Sequence, residues 1–188
     1  MWVFTEGAVS ECEYIAALKR LRPVVSNTTL RIEVAPDHGR DPLTLVRNAI
    51  AKAADSEVDQ CWCLFDVEWP NHHAHLGDAR SAAERNKKVQ VAISNPCFEL
   101  WLILHTRMQT QFLDSDAAAH ESKQLDGHRG KHIDASWYMP RLIQAVENAA
   151  ALDAWHERNG TAFPEDNPSS GMYRFVQAIG ATRKDPAR

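Results

Sequence analysis

The sequence predicts an α/β fold in which a mostly parallel β-sheet is flanked by helices. Apolar, strand-like runs alternate with segments of helical periodicity through the first half of the chain, as they do in βαβ units. Three of these runs lead directly into polar or acidic residues, which is where open α/β sheets hold their sites. After residue 105 the sequence turns polar and then regains helical spacing, which predicts a helical C-terminal elaboration.

Four strand-like runs and four helix-like runs make up the predicted core. The strands are expected at residues 2–5, 29–35, 59–66 and 89–93. The helices between them are expected at roughly residues 10–21, 42–54, 76–87 and 96–105. Farther on, residues 136–152 have helical spacing, and Asn167-Pro168-Ser169-Ser170 precedes a last helix that carries Met172, Phe175, Val176 and Ile179. We therefore predict a single domain over residues 1–188, with an α/β core at 1–105 and a mainly helical elaboration at 106–188.

Composition and charge exclude several classes of protein. The 188 residues are 44% apolar and 24% charged, as in ordinary globular domains. The formal net charge of −4 argues against a general basic surface for nucleic acid, although a local Lys/Arg stripe is compatible with it. No apolar run is long enough to span a membrane, and no secretory signal is visible at the N-terminus. We therefore expect a cytoplasmic protein without membrane association.

The four cysteines, Cys12, Cys61, Cys63 and Cys97, do not have the spacing of a zinc site. Cys61 and Cys63 form a C-x-C pair within an apolar run, and no second pair follows. Small buried thiols in a reducing compartment are the favoured interpretation.

The turn Ser94-Asn95-Pro96 joins an apolar strand to an apolar helix. Proline suits the first turn of a helix because its missing N–H would be unpaired there, and Ser94 or Asn95 is expected to cap that helix. Ser94 and Asn95 are also predicted substrate contacts, because they lie at a strand end where open α/β sheets hold their sites. Glu99 is the anomaly in this segment, since a carboxylate among apolar residues is costly to bury unless it is paired or bound to a metal. Two interpretations stay open: a ligand in a metal site, or a structural bridge to Arg107, Lys131 or a backbone donor.

Acidic residues follow the other two strand-like runs. Glu6-Gly7 ends the first run, and Asp66 and Glu68 end the third; two residues apart on an extended chain, these two side chains point the same way. Mg²⁺ prefers oxygen ligands, and phosphodiester cleavage uses one or two such ions. We therefore predict Glu6, Asp66 and Glu68 as catalytic residues and as ligands of Mg²⁺ or Mn²⁺, with Glu99 as a further ligand. Gly7 is expected to let a phosphate or metal approach the backbone.

Each acid also has a plainer interpretation. Glu6 could be an ordinary loop carboxylate, and Asp66 and Glu68 could cap the segment that follows them. Glu11, at the start of a helix, is expected to compensate the helix dipole or to cap the helix. His105 lies on another part of its helix and is expected to be a structural histidine.

Two histidine-containing segments stand outside the acid motifs. Residues 128–132 form a small basic cluster in which Arg129 and Lys131 are the best candidates for phosphate contact, with a solvated loop as the alternative. Residues 71–75 carry three histidines, but a solvated loop is favoured over a metal site there. The neighbouring Trp69 either stacks on a base or covers the edge of the core.

These segments together resemble the RloB family. The matching residues are Glu6-Gly7 with Ser10-Glu11 and Tyr14, the pair Asp66-x-Glu68, the stretch Ser94-Asn95-Pro96 with Phe98-Glu99, Trp101 and His105, and Asn167-Pro168-Ser169-Ser170. The resemblance spans nearly the whole chain, and its central motif is long and specific. It implies a Toprim-like, Rossmann-like fold, as in topoisomerases, primases and OLD-type nucleases. One residue departs from the pattern: Glu68 stands where the Toprim pattern has Asp, and it reaches one methylene further.

The resemblance also implies a function. The leading hypothesis is a divalent-metal-dependent, nuclease-like effector that acts on phosphodiesters of DNA or RNA, tRNA among them. It would act in bacterial anti-phage defence and near restriction loci, with an AAA- or ABC-type ATPase as its partner. The second hypothesis is a catalytically degenerate module that docks on such an ATPase, and the third is a nucleotide-binding regulatory domain. The sequence has no Walker motif and no G-x-G-x-x-G, and whether the chain forms a homo-oligomer stays open.

Overall fold

The computed structural model describes residues 1–36 and 39–183. Its strands are β1 (Trp2–Thr5), β2 (Glu33–Val34), β3 (Cys61–Asp66), β4 (Val89–Asn95) and β5 (Ser169–Ser170). Its helices are α1 (Ser10–Leu18), α2 (Arg22–Val25), α3 (Pro42–Ala53), α4 (Leu76–Glu84), α5 (Phe98–Leu104), α6 (Ser115–Asp126), α7 (Ala135–Tyr138), α8 (Leu142–Asn159) and α9 (Met172–Ala178), and a 3₁₀ helix spans Met139–Arg141.

The strands form one sheet in the order β2-β1-β3-β4-β5. All neighbouring strands are parallel except β5, which pairs antiparallel with β4. The register aligns Thr5 with Leu64 and Asp66 with Ser94, so that β1, β3 and β4 end at the same edge. The prediction of a mostly parallel sheet flanked by helices is confirmed, as is the common edge for the three sequence motifs.

Each face of the sheet packs against its own helical layer. Val3 and Leu64 belong to a core shared with α1, α5, α8 and α9, whereas Phe4 and Phe65 belong to a core shared with α3 and α4. This division follows from the strand period of two residues, which sends successive side chains to opposite faces. Because both faces are covered, nearly the whole of β3 is buried and apolar, as is typical of parallel sheets.

The strand order creates a topological switch point between β1 and β3. From β1 the chain passes through α1 to β2, and from β2 it returns through α3 to β3 on the other side of β1. Since α1 and α3 cover opposite faces, the two connections diverge at the carboxyl ends of β1 and β3. Such a point opens a crevice at the edge of the sheet. Glu6 and Asp66 lie there, directly after β1 and at the end of β3.

Several element boundaries differ from the expectations. The run expected at 29–35 pairs only over Glu33–Val34. A further helix, α6, occupies part of the polar stretch, because the Asp114 side chain accepts the Ala117 N–H and caps it. Among the described residues, no helix is long and apolar enough to cross a membrane.

The prediction that Ser94 or Asn95 caps α5 is wrong. Both residues belong to β4, and α5 begins after Cys97 without a side-chain cap. Both are buried. Ser94 Oγ lies 3.2 Å from Ser170 Oγ, and the Asn95 amide donates to the Pro164 carbonyl and to Asp166. These side chains therefore fasten the C-terminal segment to the sheet.

The Asn167-Pro168-Ser169-Ser170 motif is a structural clamp. The Asn167 amide accepts the Leu113 N–H at 3.1 Å and donates to the Leu113 carbonyl at 2.8 Å. At Gly171, directly after the motif, a Cβ atom would lie 3.1 Å from the Ile93 nitrogen, a tighter contact than most Cβ atoms make, so glycine lets the chain run close to β4 without displacing it. The motif thereby ties the helical C-terminal part to the α/β core.

His105 is held as a neutral ring in an aromatic cluster. It is 1% exposed and is surrounded edge-on by Tyr14, Trp101 and Tyr138. Its Nδ1 donates to the Trp101 carbonyl at 2.9 Å, which leaves Nε2 to accept the Tyr14 hydroxyl at 2.9 Å. Burial, opposed in part by the Trp101 carbonyl, lowers the pKa of His105 to about 4.

We predict that His105 makes the wild type sensitive to acid. The pKa rises from about 4 in the folded chain to 6.5 in the unfolded one, so only the unfolded state takes up a proton between these values. The contribution of neutral His105 to the unfolding free energy is complete above the pKa of the unfolded chain. It is lost as the pH falls toward the pKa of the folded chain. Relative to His105→Gln, the wild type should lose about 2 kcal/mol of unfolding free energy between about pH 7 and about pH 5. Urea unfolding at both pH values measures this, and parallel losses in the two proteins would contradict it.

Candidate functional site

A cavity of about 530 Å³ opens at the switch point. Seven carboxylates line it, and five of these come from three separate strand ends and the turns and helices that follow. The other two, Asp41 and Asp116, lie at the starts of α3 and α6. Glu6 follows β1, Asp66 ends β3, and Glu68 lies two residues beyond Asp66. Glu11 and Glu99 lie in the first turns of α1 and α5. The cavity thus brings together all four acids that the sequence predicted, together with Glu11.

Glu6 and Asp66 are linked directly. The Asp66 N–H donates to Glu6 Oε2 at 3.1 Å, and the other Glu6 oxygen lies 2.7 Å from His73 Nε2. The second contact has the distance of an ion pair but lacks the direction of a hydrogen bond. Burial raises the pKa of Glu6, and the Asp66 N–H and His73 oppose that effect.

Asp66 is the most strongly perturbed acid of the cavity. Burial and the charges of the other four carboxylates, Glu11 first, raise the pKa of Asp66 well above its usual range. Its side chain retains some exposure, which is to the cavity. A carboxylate in this position is stabilised by a proton or by a cation.

Glu11 is the site residue that the sequence analysis assigned to another role. It was expected to cap or compensate the helix dipole, but its side chain is 8% exposed and reaches back to accept the Gly7 N–H at 3.0 Å. Burial raises the pKa of Glu11, and Glu99 and Glu6 add to the effect. The signal that could have found it is the Glu6-Gly7 to Ser10-Glu11 motif, in which Glu11 stands with Glu6.

Gly7 has a different reason to be glycine from the one expected. A Cβ atom at this position would lie 1.9 Å from Glu11 Oε2. The missing side chain therefore makes room for the Glu11 carboxylate, while Gly7 also lines the cavity.

Glu68 is not held as an extended partner of Asp66. β3 ends at Asp66, and Glu68 adopts a left-handed conformation with φ of 61°. The Glu68 N–H donates to the Pro96 carbonyl at 2.8 Å, which fixes this turn. The prediction that the two acids point the same way because they share a strand is wrong, although both line the cavity.

The expected structural bridge from Glu99 to Arg107 is absent. Arg107 pairs instead with Glu121 at 2.5 Å. Glu99 is half-buried in the wall of the cavity, close to the Cys97 thiol, whose pKa is raised by burial and by Glu99. All four cysteines are free thiols, and three of them, Cys61, Cys63 and Cys97, are buried.

The basic loop contributes one residue to the cavity. Lys131 lines it, and the Lys131 carbonyl accepts the Ser10 hydroxyl at 2.6 Å, which fixes the loop against α1. Arg129 is exposed and does not line the cavity. Ser94 and Asn95, the other predicted substrate contacts, are occupied in the clamp on the C-terminal segment and do not line it either.

The histidine loop is only partly a solvated loop. His72 is exposed and packs on Trp69 with ring centroids 4.6 Å apart, and His75 pairs with Asp78. His73, however, turns into the cavity beside Glu6. The solvated-loop interpretation is therefore wrong for His73.

The donor chemistry of the cavity fits a divalent cation. The carboxylates offer hard oxygen ligands, and burial with crowding by like charge raises the pKa values of Asp66, Glu6 and Glu11. Within residues 1–36 and 39–183, no group of three or more His, Cys, Asp or Glu side chains is already arranged around a single metal position. The reason is visible in the contacts: Glu6 is turned toward the Asp66 N–H, and Glu11 is turned toward the Gly7 N–H.

The fold and cavity define a Rossmann-like α/β protein with an acidic site at its switch point. The chain belongs to the RloB-like family, because the family model described as RloB-like protein matches residues 1–179 of the 188. No curated protein and no solved structure matches the chain.

We predict that Gly7 and Glu11 are energetically coupled. Gly7→Ala displaces the Glu11 carboxylate and breaks its hydrogen bond, which should cost about 1–3 kcal/mol. In a Glu11→Ala background the added methyl group has room, so the same change should cost less. A double-mutant cycle by urea unfolding should give an interaction energy of at least about 0.5 kcal/mol. Additive effects would contradict the contact.

Removing the charge of Asp66 should stabilise the fold when divalent cations are chelated. Because the pKa of Asp66 is raised in the folded chain, the unfolding free energy falls as the pH rises from 3.8 through the pKa of the folded chain. Asp66→Asn removes the ionisation and therefore this loss of stability. We expect the melting temperature to rise by about 2–4 °C near neutral pH, the shift that about 1 kcal/mol gives in a chain of this size. The gain in melting temperature should disappear below pH 3.8, the pKa of Asp66 in the unfolded chain.

The matched control is Asp59→Asn. Asp59 is exposed and precedes β3 at the opposite end of the strand from Asp66. Its replacement should leave the unfolding free energy within about 0.5 kcal/mol. A destabilised Asp66→Asn protein would contradict the repulsion that we describe.

Proposed function

We propose that this chain is a divalent-cation-dependent, nuclease-like protein that hydrolyses phosphodiesters of nucleic acid. The observation that carries the proposal is the convergence of Glu6, Glu11, Asp66, Glu68 and Glu99 on one cavity at the switch point. Membership of the RloB-like family supports it. The proposal concerns the reaction class, and it leaves the choice of DNA or RNA to experiment.

Mg²⁺ or Mn²⁺ would be held by Asp66, Glu6 and Glu68, with Glu99 and Glu11 at the border of the same charge cluster. When bound, such an ion stabilises the charge that develops on the attacking and leaving oxygens. The choice of ligands follows from position, since Glu6 and Asp66 lie at the ends of adjacent strands and share a hydrogen bond.

Glu6 is the strongest candidate for proton transfer. Burial raises its pKa, and its carboxylate lies 2.7 Å from His73 Nε2 at the wall of the cavity. Lys131 is placed to contact a phosphate, because the structure gives its ammonium group no ion-pair partner in the described part of the chain and it lines the same cavity. A phosphodiester in the cavity would then have a cationic contact on the side away from β3.

The second candidate function is a catalytically degenerate module that docks on a partner. Two observations favour it. Glu68 lies on a left-handed turn rather than on the strand, and the Glu6 carboxylate is turned toward a backbone donor. The partner proposed for either function is an AAA- or ABC-type ATPase in bacterial anti-phage defence, as the resemblance to RloB proteins implies.

The deciding experiment uses Glu6→Gln, which keeps the size of the side chain and removes its charge. Purified wild type and variant are incubated with Mg²⁺ or Mn²⁺ and with plasmid, single-stranded DNA and tRNA, alone and with a co-encoded ATPase. We expect Glu6→Gln to lower the cleavage rate at least about 100-fold, the scale on which a positioned acid or base acts, with little change in melting temperature.

Two control variants separate catalysis from folding. Glu84→Gln removes an exposed carboxylate on α4 that does not line the acidic cavity, so cleavage should be unchanged. His105→Ala should lower the melting temperature and reduce cleavage only modestly, because His105 is enclosed in the aromatic cluster. Normal cleavage by Glu6→Gln would sink the proposed mechanism, and the docking module would become the leading function.

A further inference from the structure

Three aromatic rings form an exposed ledge beside the acidic cavity. The Trp69 ring lies 4.6 Å from the His72 ring and 5.2 Å from the Phe112 ring between centroids. Phe112 is 56% exposed, and His72 is also exposed. We call the side chains of Trp69, His72 and Phe112 the aromatic ledge. Aromatic side chains that only cover a core rarely leave this much surface exposed in one place.

The ledge is fixed to the rim of the cavity. Trp69 directly follows Glu68, which lines the cavity. The Trp69 N–H donates to Ser115 Oγ at 3.0 Å, and the Ser115 N–H donates to the Trp69 carbonyl at 3.2 Å. Ser115 also lines the cavity, and Phe112 is three residues before it. A group stacked on the ledge is therefore a neighbour of a group held in the cavity.

We propose that the aromatic ledge stacks an unpaired base of a single-stranded nucleic acid whose adjacent phosphate enters the cavity. This inference rests on the proposed function and specifies its substrate class. Aromatic side chains stack on the π-face of any base, so the contact requires an unpaired nucleotide and tolerates sequence. A base inside an intact duplex has its faces covered by its neighbours and cannot reach the ledge.

Base stacking is important here because both the chain and the cavity are acidic. Binding of nucleic acid commonly draws much of its free energy from Lys and Arg on phosphates. This chain has a net charge of −4, and seven carboxylates line the cavity where a phosphate would enter, against two cations, Arg40 and Lys131. Stacking is independent of that repulsion, and the ledge supplies it beside the cavity.

The test is a binding measurement with Ca²⁺ in place of Mg²⁺ or Mn²⁺, so that a cation neutralises the cavity, and gel electrophoresis checks that the strands stay intact. Fluorescence anisotropy compares oligo(dT), oligo(U), an abasic strand of the same length and a duplex. We expect both base-containing strands to bind more tightly than the abasic strand and the duplex. Phe112→Ala should weaken binding of the base-containing strands by about 5-fold to about 100-fold, the range of one stacked base, and should leave binding of the abasic strand unchanged.

Three further variants sharpen the result. Phe112→Trp should retain the preference for bases, because it keeps an aromatic face. Ile143→Ala removes another exposed apolar side chain, 59% exposed and on α8, and should have no effect. Glu6→Gln should keep the base preference while losing cleavage, so stacking and catalysis are read separately. Equal affinity for base-containing and abasic strands, tighter duplex binding, or no effect of Phe112→Ala overturns the inference even if the protein is a nuclease.

Discussion

Five of the seven carboxylates that line the cavity lie together at the carboxyl end of the sheet, and their mutual repulsion has to be offset by the groups around them. The Gly7 N–H binds Glu11, the Asp66 N–H binds Glu6, and His73 lies beside Glu6. Backbone N–H dipoles therefore stabilise the carboxylates of Glu11 and Glu6, and the His73 imidazole lies beside that of Glu6. Within the described part of the chain no such donor reaches the Asp66 carboxylate, and burial with the neighbouring charges raises the pKa of Asp66 well above its usual range. A site of this kind is tolerated only where a ligand, a proton or a cation restores the balance.

The helical C-terminal part completes the cavity as well as covering the core. Lys131 comes from the loop between α6 and α7, and Ser115 comes from the start of α6. Ser10 and Trp69 bind these two wall residues through hydrogen bonds that span long stretches of sequence. Asn167 fixes the backbone at Leu113, two residues before Ser115. The C-terminal clamp therefore sets the position of the cavity wall opposite the strands.

The architecture was predictable because it is encoded in local patterns. The alternation of apolar strand runs with helical spacing identified β1, β3 and β4 and the helices that connect them. The parallel arrangement then required their polar ends to meet at one edge. The two-residue strand β5 escaped prediction, because its pairing depends on the buried contact between Ser94 and Ser170. No propensity of two serines would indicate a strand.

The site was predictable in its acids but less so in its details. Glu6 and Asp66 were identified because each lies at the end of an apolar strand, and Glu99 because it lies among the apolar residues of a helix. Glu11 was misassigned because first-turn carboxylates usually interact with the helix N-terminus, and only the tertiary structure shows it turned toward Gly7. The geometry of Glu68 depends on a single positive φ angle, which a non-glycine residue rarely adopts and which no sequence pattern announced.

Protons and cations compete for the same cavity. A carboxylate whose pKa is raised by its neighbours holds a proton that a divalent cation must displace, so cation binding and proton release are linked. Burial and like charge raise the pKa values of Asp66, Glu6 and Glu11. Cation binding should therefore weaken as the pH falls, because acid favours the protonated cavity over the cation-bound one. A phosphodiester adds further negative charge, and it too is repelled unless that charge is neutralised. Cation and substrate should consequently strengthen each other's binding, whereas the stacking contact on Trp69 and Phe112, being apolar, is independent of both.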